Sequence, residues 1–277
     1  MIRLAIRCRP EAAERVLAEL LVLVPGGVEE DRAADYVEYA IYGPPGELPA
    51  VPDLRARIAD GLVEVSSTEV PEDWADRWRD FHQPLLVGGR LWVRPSWEEP
   101  RPCAVDLVID PGRAFGTGAH PTTAMCLELL CTLADRREAK GALADWGTGS
   151  GVLAIASAKL GFGPVIACDH EPASLQAAAH NARENAVELE LVRVNLREAA
   201  PPVAPTAVAN LTARLLREIA ARLERPPRRV ICSGLLASEA GEVAGAFAAR
   251  GVAERERWTR GDWAALLLEA GEGTIAL

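Results

Sequence analysis

The chain has 277 residues, 49% hydrophobic and 25% charged, with a formal net charge of -10. That length holds one large domain or two smaller ones, and the acidic balance argues against a broad nucleic-acid surface while suiting a basic partner. No apolar run is long enough for a membrane span and the first residues lack a signal-peptide pattern, so a cytoplasmic location is expected. The six cysteines (Cys8, Cys103, Cys126, Cys131, Cys168 and Cys232) sit mostly in apolar strand or helix patterns. They form no C-x-x-C, so buried thiols are expected and no metal site.

Arg3 to Cys8 alternates as a strand. Pro10 and Glu11 open a helix whose apolar residues Ala13, Val16, Leu17, Leu20 and Leu21 recur at helical spacing until Gly26-Gly27. Tyr36 to Tyr42 is a second strand, closed by Gly43-Pro44-Pro45-Gly46. Pro52 to Ile58 reads as a short helix with Leu54 and Ile58 inward, and Leu62 to Ser66 as a strand. This β-α-β-α-β order predicts a small α/β domain over 1–70, ferredoxin-like with altered connections. The first 101 residues carry 12 basic and 19 acidic side chains, a net of -7. Such a surface either keeps the domain soluble or docks a basic protein.

Residues 71–102 read as an aromatic-rich connector. Trp74, Trp78 and Phe81 share one helical face, and His82, Trp92 and Trp97 follow. Packing across a domain boundary is one reading of these rings, a substrate groove the other. Gly88-Gly89 turns the chain into a strand over Arg90 to Arg94, and Pro95 to Pro102 reads as a linker.

A second domain spans 103–277. Val105 to Asp110 is a strand, followed by the glycine-rich loop Pro111 to Thr123. A helix then runs through Cys126, Leu129, Leu130 and Leu133, with Thr122 or Thr123 placed to cap it. Leu143-Ala144-Asp145-Trp146 is a strand that breaks into Gly147-Thr148-Gly149-Ser150-Gly151. Val152, Ile155, Ala156 and Leu160 resume helical spacing, and Val165 to Asp169 is a buried strand ending in a carboxylate. Glycines between a strand and a helix allow a ligand close approach. An acid at the next strand tip can accept both hydroxyls of a ribose.

The third glycine comes one residue too early for the dinucleotide pattern, and Asp145 beside the turn would repel a pyrophosphate. A cationic nucleoside such as S-adenosylmethionine would not be repelled. The third strand of this domain, Leu191 to Val194, leads to Asn195, whose side chain has a carbonyl oxygen free to accept a hydrogen bond. The fourth, Thr206 to Ala209, ends at Asn210, which can cap the next helix. Arg229 to Ser233 is a strand, Gly234 a turn, and Ser238 to Arg250 a helix. Val252 to Trp258 and Trp263 to Glu269 form a terminal antiparallel pair.

The pattern D-x-G-x-G-x-G from Asp145, with an acid at the next strand end, resembles the seven-stranded methyltransferases. The loop D-P-G-x-A-F-G-T-G-x-H-x-T-T from Asp110 to Thr123 is similar to the bacterial PrmA family, which methylates amines of the stalk-base protein, number eleven, of the large ribosomal subunit. Trp74 to Pro84, Asn181 to Val187, Ser233 to Leu236 and Gly261 to Trp263 also resemble family segments. The resemblance implies an α/β fold: a seven-stranded Rossmann-like class I methyltransferase domain with a smaller N-terminal α/β recognition domain. It implies S-adenosylmethionine as cofactor, with contacts from Phe115, Thr117, Gly118, Thr123, Asp145, Trp146, Gly147, Gly149, Asp169, His170, Asn195, Leu196 and Asn210. The glycine amides would face the methionine moiety, and Asp145 its ammonium. Trp146 takes a place often held by a small residue, where its ring enters the sheet core or narrows the pocket. Asn210 is the residue expected to place the acceptor amine. His120 is expected to make a fold-stabilising hydrogen bond.

The implied reaction is methyl transfer to lysine amines, and to an N-terminal amine, of that stalk-base protein, without nucleic-acid or membrane contact. Three other readings stand beside it. They are methylation of another protein or small amine, a non-catalytic cofactor-binding module, and a dinucleotide oxidoreductase, which Asp145 and the glycine spacing disfavour.

Overall fold

The computed structural model describes residues 2–23, 28–43, 54–58, 61–69, 83–102, 104–110 and 120–271. The chain divides into two compact units, Met1–Phe81 and His82–Leu277.

The first unit is built on strands β1 (Ile2–Cys8), β2 (Glu29–Arg32), β3 (Val37–Gly43), β4 (Leu54–Ile58) and β5 (Gly61–Glu69), with helix α1 (Ala13–Leu23) after a short 3-10 turn. They form one antiparallel sheet in the order β2-β3-β1-β5-β4. Strand alternation sorts its central strands into two faces. Ile6, Cys8, Val37, Tyr39 and Ile41 are buried on one, where the Tyr39 hydroxyl donates to the Ala13 carbonyl at the start of α1 at 3.0 Å. The other carries Arg3 and Arg7, which both donate to the buried Glu38 carboxylate. Burial opposes that negative charge, but the two guanidiniums outweigh it and hold the Glu38 pKa below its ordinary value.

One expectation for this unit is corrected. Leu54 to Ile58 is a strand paired with β5, not a helix. Leu54 and Ile58 satisfy either period, but Leu-Arg-Ala-Arg-Ile also alternates, and five residues are too few for a stable helix. Strand β2 went unread because Glu-Glu-Asp-Arg offers no apolar alternation.

The second unit begins with β6 (Leu85–Val87), β7 (Leu91–Arg94) and β8 (Val105–Val108), a three-stranded sheet in that order. Pro95 to Pro102, expected as a linker, therefore connects two hydrogen-bonded strands of one sheet. Arg94 ties the connection down. It pairs with both oxygens of Asp106 at 2.7 and 2.8 Å and donates to the Glu98 carbonyl at 2.6 Å.

There follow α2 (Pro121–Asp135), β9 (Leu143–Trp146), α3 (Val152–Leu160), β10 (Val165–Asp169), α4 (Pro172–Glu184), β11 (Glu190–Arg193), β12 (Thr206–Asn210), α5 (Ala213–Arg222), β13 (Arg229–Leu236), α6 (Ala240–Ala248), β14 (Val252–Arg260) and β15 (Trp263–Ala270). Their strands form a seven-stranded sheet in the order β11-β10-β9-β12-β13-β15-β14. The first five strands in that order are mutually parallel, and the β14-β15 hairpin is antiparallel. Helices α2, α3 and α4 pack together on this sheet, and α5 packs against α6. From β9 the chain steps outward to β10 and β11, then returns to β12 on the other side of β9. That reversal opens a crevice at the carboxyl ends of β9 and β12, where open α/β sheets bind ligands.

Gly234 is a second correction. Strand β13 runs through it to Leu236 with a register shift between Cys232 and Leu235, so it marks a bulge rather than a turn. Its φ is +84°, and a Cβ there would lie 2.6 Å from the Leu211 carbonyl oxygen. Cys8, Cys126, Cys131, Cys168 and Cys232 are buried and unpaired, as their apolar settings predict.

Candidate active site

The crevice is built from the turn Gly147 to Gly151. Gly147, Gly149 and Gly151 all have positive φ, which glycine adopts without strain. A Cβ on Gly147 would meet Leu211 Cδ2 at 2.5 Å, so the turn and the end of β12 approach closer than a side chain permits. The turn's amides are mostly engaged within the fold. Gly147 and Thr148 N–H both donate to the Cys168 carbonyl at 2.9 Å, and Gly149 N–H to Asp169 Oδ2 at 3.1 Å. The expectation that these glycine amides face a ligand is corrected accordingly. They fix the turn to β10, and the open glycine surface is what remains for a ligand.

Asp145 is 1% exposed. Its Oδ2 accepts from the Thr148 hydroxyl at 2.6 Å and from the Ala154 amide at 3.1 Å, an otherwise unpaired donor in the first turn of α3. Its Oδ1 is buried with no hydrogen-bond partner among the described residues. Burial pushes the Asp145 pKa up to about 7, against the Thr148 and Ala154 hydrogen bonds, and the Asp169 charge adds to the rise. A buried carboxylate with one open oxygen is suited to a cation.

Asn210, on the neighbouring strand, resembles it in one respect. Its Nδ2 donates to Thr123 Oγ1 at 2.9 Å, which turns Oδ1 the other way, and that Oδ1 is also buried without a partner among the described residues. Ladder pairing sets Val208 beside Asp145 and Ala209 beside Trp146, so both open oxygens belong to adjacent strand ends. Asn210 does not cap α5, whose N-cap is Thr212. Thr123 is the third residue of α2, in its first turn, not its cap. His120 caps that helix, its Nδ1 accepting the Thr122 amide at 3.4 Å, and its ring lies edge-on to Trp263 at 4.9 Å.

Asp169 ends β10. Its Oδ1 accepts from the Glu171 amide at 3.0 Å, which with the Gly149 contact fixes the carboxylate while leaving lone pairs for further donors. His170 stands beside it, Nδ1 at 3.4 Å from Asp169 Oδ1, and is more than half exposed. Asn195 turns its Oδ1 onto the Arg197 amide at 3.1 Å, so that oxygen already holds one donor. Leu196 is buried in the core cluster, and its carbonyl accepts from Arg222 of α5.

Of the two places expected for the Trp146 ring, it takes the sheet core. Successive residues of a strand face opposite sides, so its ring lies away from Asp145. It is fully buried among Leu216, Ile219 and Phe247, and its Nε1 donates to the Pro202 carbonyl at 3.0 Å. Phe115, Thr117 and Gly118 lie outside the described residues. Sequence reading missed Thr148, the partner of Asp145, and Asn181, whose Nδ2 donates to the Ser150 carbonyl at 2.8 Å. The available signal for Asn181 was an asparagine on the same helical stripe as Ala178 and Ala182.

Comparison with known proteins agrees with this geometry. The family model described as ribosomal protein L11 methyltransferase (PrmA) matches residues 53–270. A ribosomal protein L11 methyltransferase of Azotobacter vinelandii is 43% identical over 201 residues, covering 69% of this chain and 68% of that one. The protein of that name from Pelotomaculum thermopropionicum is 41% identical over 222 residues, covering 77% and 71%. The crystal structure of a ribosomal protein L11 methylase from Lactobacillus delbrueckii subsp. bulgaricus aligns with a TM-score of 0.61 at 29% identity, covering 69% of this chain and all of that one. The chain belongs to the ribosomal protein L11 methyltransferase (PrmA) family and is an S-adenosylmethionine-dependent methyltransferase.

Proposed function

We propose that this enzyme methylates ribosomal protein L11 in the cytoplasm, on lysine side chains and the N-terminal amine, with no contact to nucleic acid or membrane. Family membership supports the substrate. The observation that carries the site is the pair of open oxygens, Asp145 Oδ1 and Asn210 Oδ1, on adjacent strand ends at the switch point of the sheet. The N-terminal α/β domain, expected over 1–70, is the part that recognises the protein substrate.

The residues present fit the cofactor. Asp145 Oδ1 would receive its ammonium, the Gly147 to Gly151 turn leaves room for the amino-acid moiety, and Asp169 would hold the ribose hydroxyls. Asn195, Leu196 and His170 would border the nucleoside, and Phe115, Thr117 and Gly118 complete the set by family resemblance. When bound, S-adenosylmethionine supplies a methyl group already activated on a sulfonium.

The chain's own task is then alignment and exclusion of water. A lysine amine has a pKa of about 10.4 in water, and an apolar surround favours its neutral form. Its proton leaves to solvent before the amine is enclosed. Asn210 Oδ1 accepts one N–H of the neutral amine and so aims its lone pair, while Thr123 keeps the Asn210 amide from rotating.

Mass spectrometry of purified L11 incubated with the enzyme, with and without S-adenosylmethionine, tests the reading. Cofactor-dependent gains of methyl mass on lysines or the N-terminus are expected. Intact cofactor binding with no such gain would remove L11 as the substrate and leave the methyltransferase core in place.

A further inference from the structure

Helix α4 buries a stripe of Ser174, Ala178, Asn181 and Ala182, and Asn185 is also buried one turn on. Two buried asparagines four residues apart lie on one helical face, and each needs partners for its amide. Asn185 meets both backbone groups of Val108: its Oδ1 accepts the Val108 amide at 3.0 Å and its Nδ2 donates to the Val108 carbonyl at 2.6 Å. It treats β8 as a neighbouring strand would. Asn181 Oδ1 continues that ladder by accepting the Asp110 amide at 3.3 Å, but its Nδ2 reaches the other way, to the Ser150 carbonyl at 2.8 Å. One amide, 1% exposed, therefore joins the end of β8 to the glycine turn.

The same side of the turn rests on α4 at a second point. A Cβ on Gly151 would lie 3.1 Å from Ala178 Cα, so helix and turn are in contact. The turn's other anchors are Cys168 and Asp169 of β10 and, through the Thr148 hydroxyl, Asp145 of β9. Removing the α4 anchor would free the turn to shift relative to Asp145 and Asp169 without touching either.

We propose that Asn181 is a positioning residue for the cofactor site, holding the Gly147 to Gly151 turn in register with Asp145 and Asp169 through the Ser150 carbonyl. The inference rests on the reading that this turn and these two acids hold S-adenosylmethionine. Asn181→Asp changes one group: an oxygen replaces the NH2 that faces the Ser150 carbonyl, setting two acceptors against each other. A misplaced buried acceptor, here carrying a charge as well, weakens an equilibrium on the order of tenfold or more.

The test is calorimetric titration with S-adenosylmethionine, alongside steady-state kinetics on L11. Asn181→Asp should raise the Kd and the KM for the cofactor about tenfold, with kcat at saturating cofactor within about threefold of wild type. Asn181→Ser, which removes both bonds and adds no charge, should shift in the same direction and serves if the first variant does not fold. Asn185→Ser, which loosens β8 and drops the Asn185 bond to the Asn181 backbone carbonyl but leaves the Asn181 side chain on Ser150, should lower Tm and leave Kd within about threefold. Wild-type Kd in a folded Asn181 variant overturns the inference, as does an equal loss in Asn185→Ser, since either makes the role one of stability alone. Asp145→Asn is run in parallel: unchanged binding there counts against the site reading itself, separately from Asn181.

Discussion

Where β13 begins and β15 finishes, Arg229 and Glu269 face each other across the ladder. Arg229 reaches Glu138 and Glu269, each at 2.7 Å, and Arg255 bridges the same two carboxylates at 3.1 and 2.8 Å. Where β9 and β12 run out, at the other end of the sheet, one carboxylate is buried and, among the described residues, has no basic side chain on it, and two side-chain oxygens there have no partner. Both ends are polar, but only the first is satisfied. An unmet buried acceptor costs about 1–3 kcal/mol, so two of them side by side are a standing cost to the fold. Such a cost is expected where a ligand supplies the missing donors. The satisfied end serves stability and the unsatisfied end serves binding.

Asn210→Ala should break that division hardest. It deletes the oxygen assigned to the acceptor amine, so kcat should fall about a hundredfold, with the cofactor KM nearly unchanged. Tm should hold, because the lost side chain's one hydrogen bond among the described residues is to Thr123. A matching loss of cofactor affinity would move Asn210 from the acceptor to the donor.

Asp145→Asn comes next. The new amide can keep its oxygen toward Thr148 and Ala154, which leaves an NH2 where Oδ1 was. Cofactor Kd should rise about tenfold or more, while Tm stays level or rises because a buried charge is gone. The pH dependence has a definite sign. The free protein's Asp145 has its pKa pushed up to about 7 from 3.8, so the folded state binds its proton more tightly than the unfolded state does. Its contribution to stability therefore grows as pH falls from about 7 toward 3.8 and is lost as pH rises through 7. Cofactor binding needs the ionised form and runs the other way: Kd should increase roughly twentyfold between pH 7.5 and 5.5. Titrations across that range, on wild type and Asp145→Asn, check both signs, and the variant should be flat.

Much of the binding end was legible because its parts are contiguous or punctuated. Strand, glycines and helix follow one another from Leu143 to Leu160, and acids or amides sit at strand tips Asp169 and Asn210. What escaped depends on partners far away in sequence. Asn181 meets Asp110 across 71 positions, and nothing local marks that bond. The glycine amides look available in sequence, and only the positions of Cys168 and Asp169 show that they are engaged. Leu54 to Ile58 was ambiguous for another reason, since five residues with apolar ends fit both periods until β5 pairs with them.

At the satisfied end, Arg229→Met should cost stability without touching the cofactor. It leaves Glu138 and Glu269 sharing Arg255 alone, a loss of about 1–2 kcal/mol for a partly buried group. Thermal unfolding should register it as a drop of a few degrees, with Kd for S-adenosylmethionine unchanged. Altered cofactor affinity would show that the two ends are coupled through β13 and β15.

Trp146→Phe makes the smallest change and draws the boundary most finely, because Trp146 adjoins Asp145 in sequence yet faces the opposite side of the sheet. The variant keeps an aromatic ring in the core but drops the donor to the Pro202 carbonyl, at about 1–2 kcal/mol. Stability should fall by that amount. Cofactor affinity should change less than about threefold, since the Asn195 to Pro202 segment keeps its second tie, from Arg222 to the Leu196 carbonyl. A tenfold loss of affinity would mean that the segment beyond β11 depends on the indole to meet the nucleoside. The core face of β9 would then belong to the binding site as fully as the Asp145 face does.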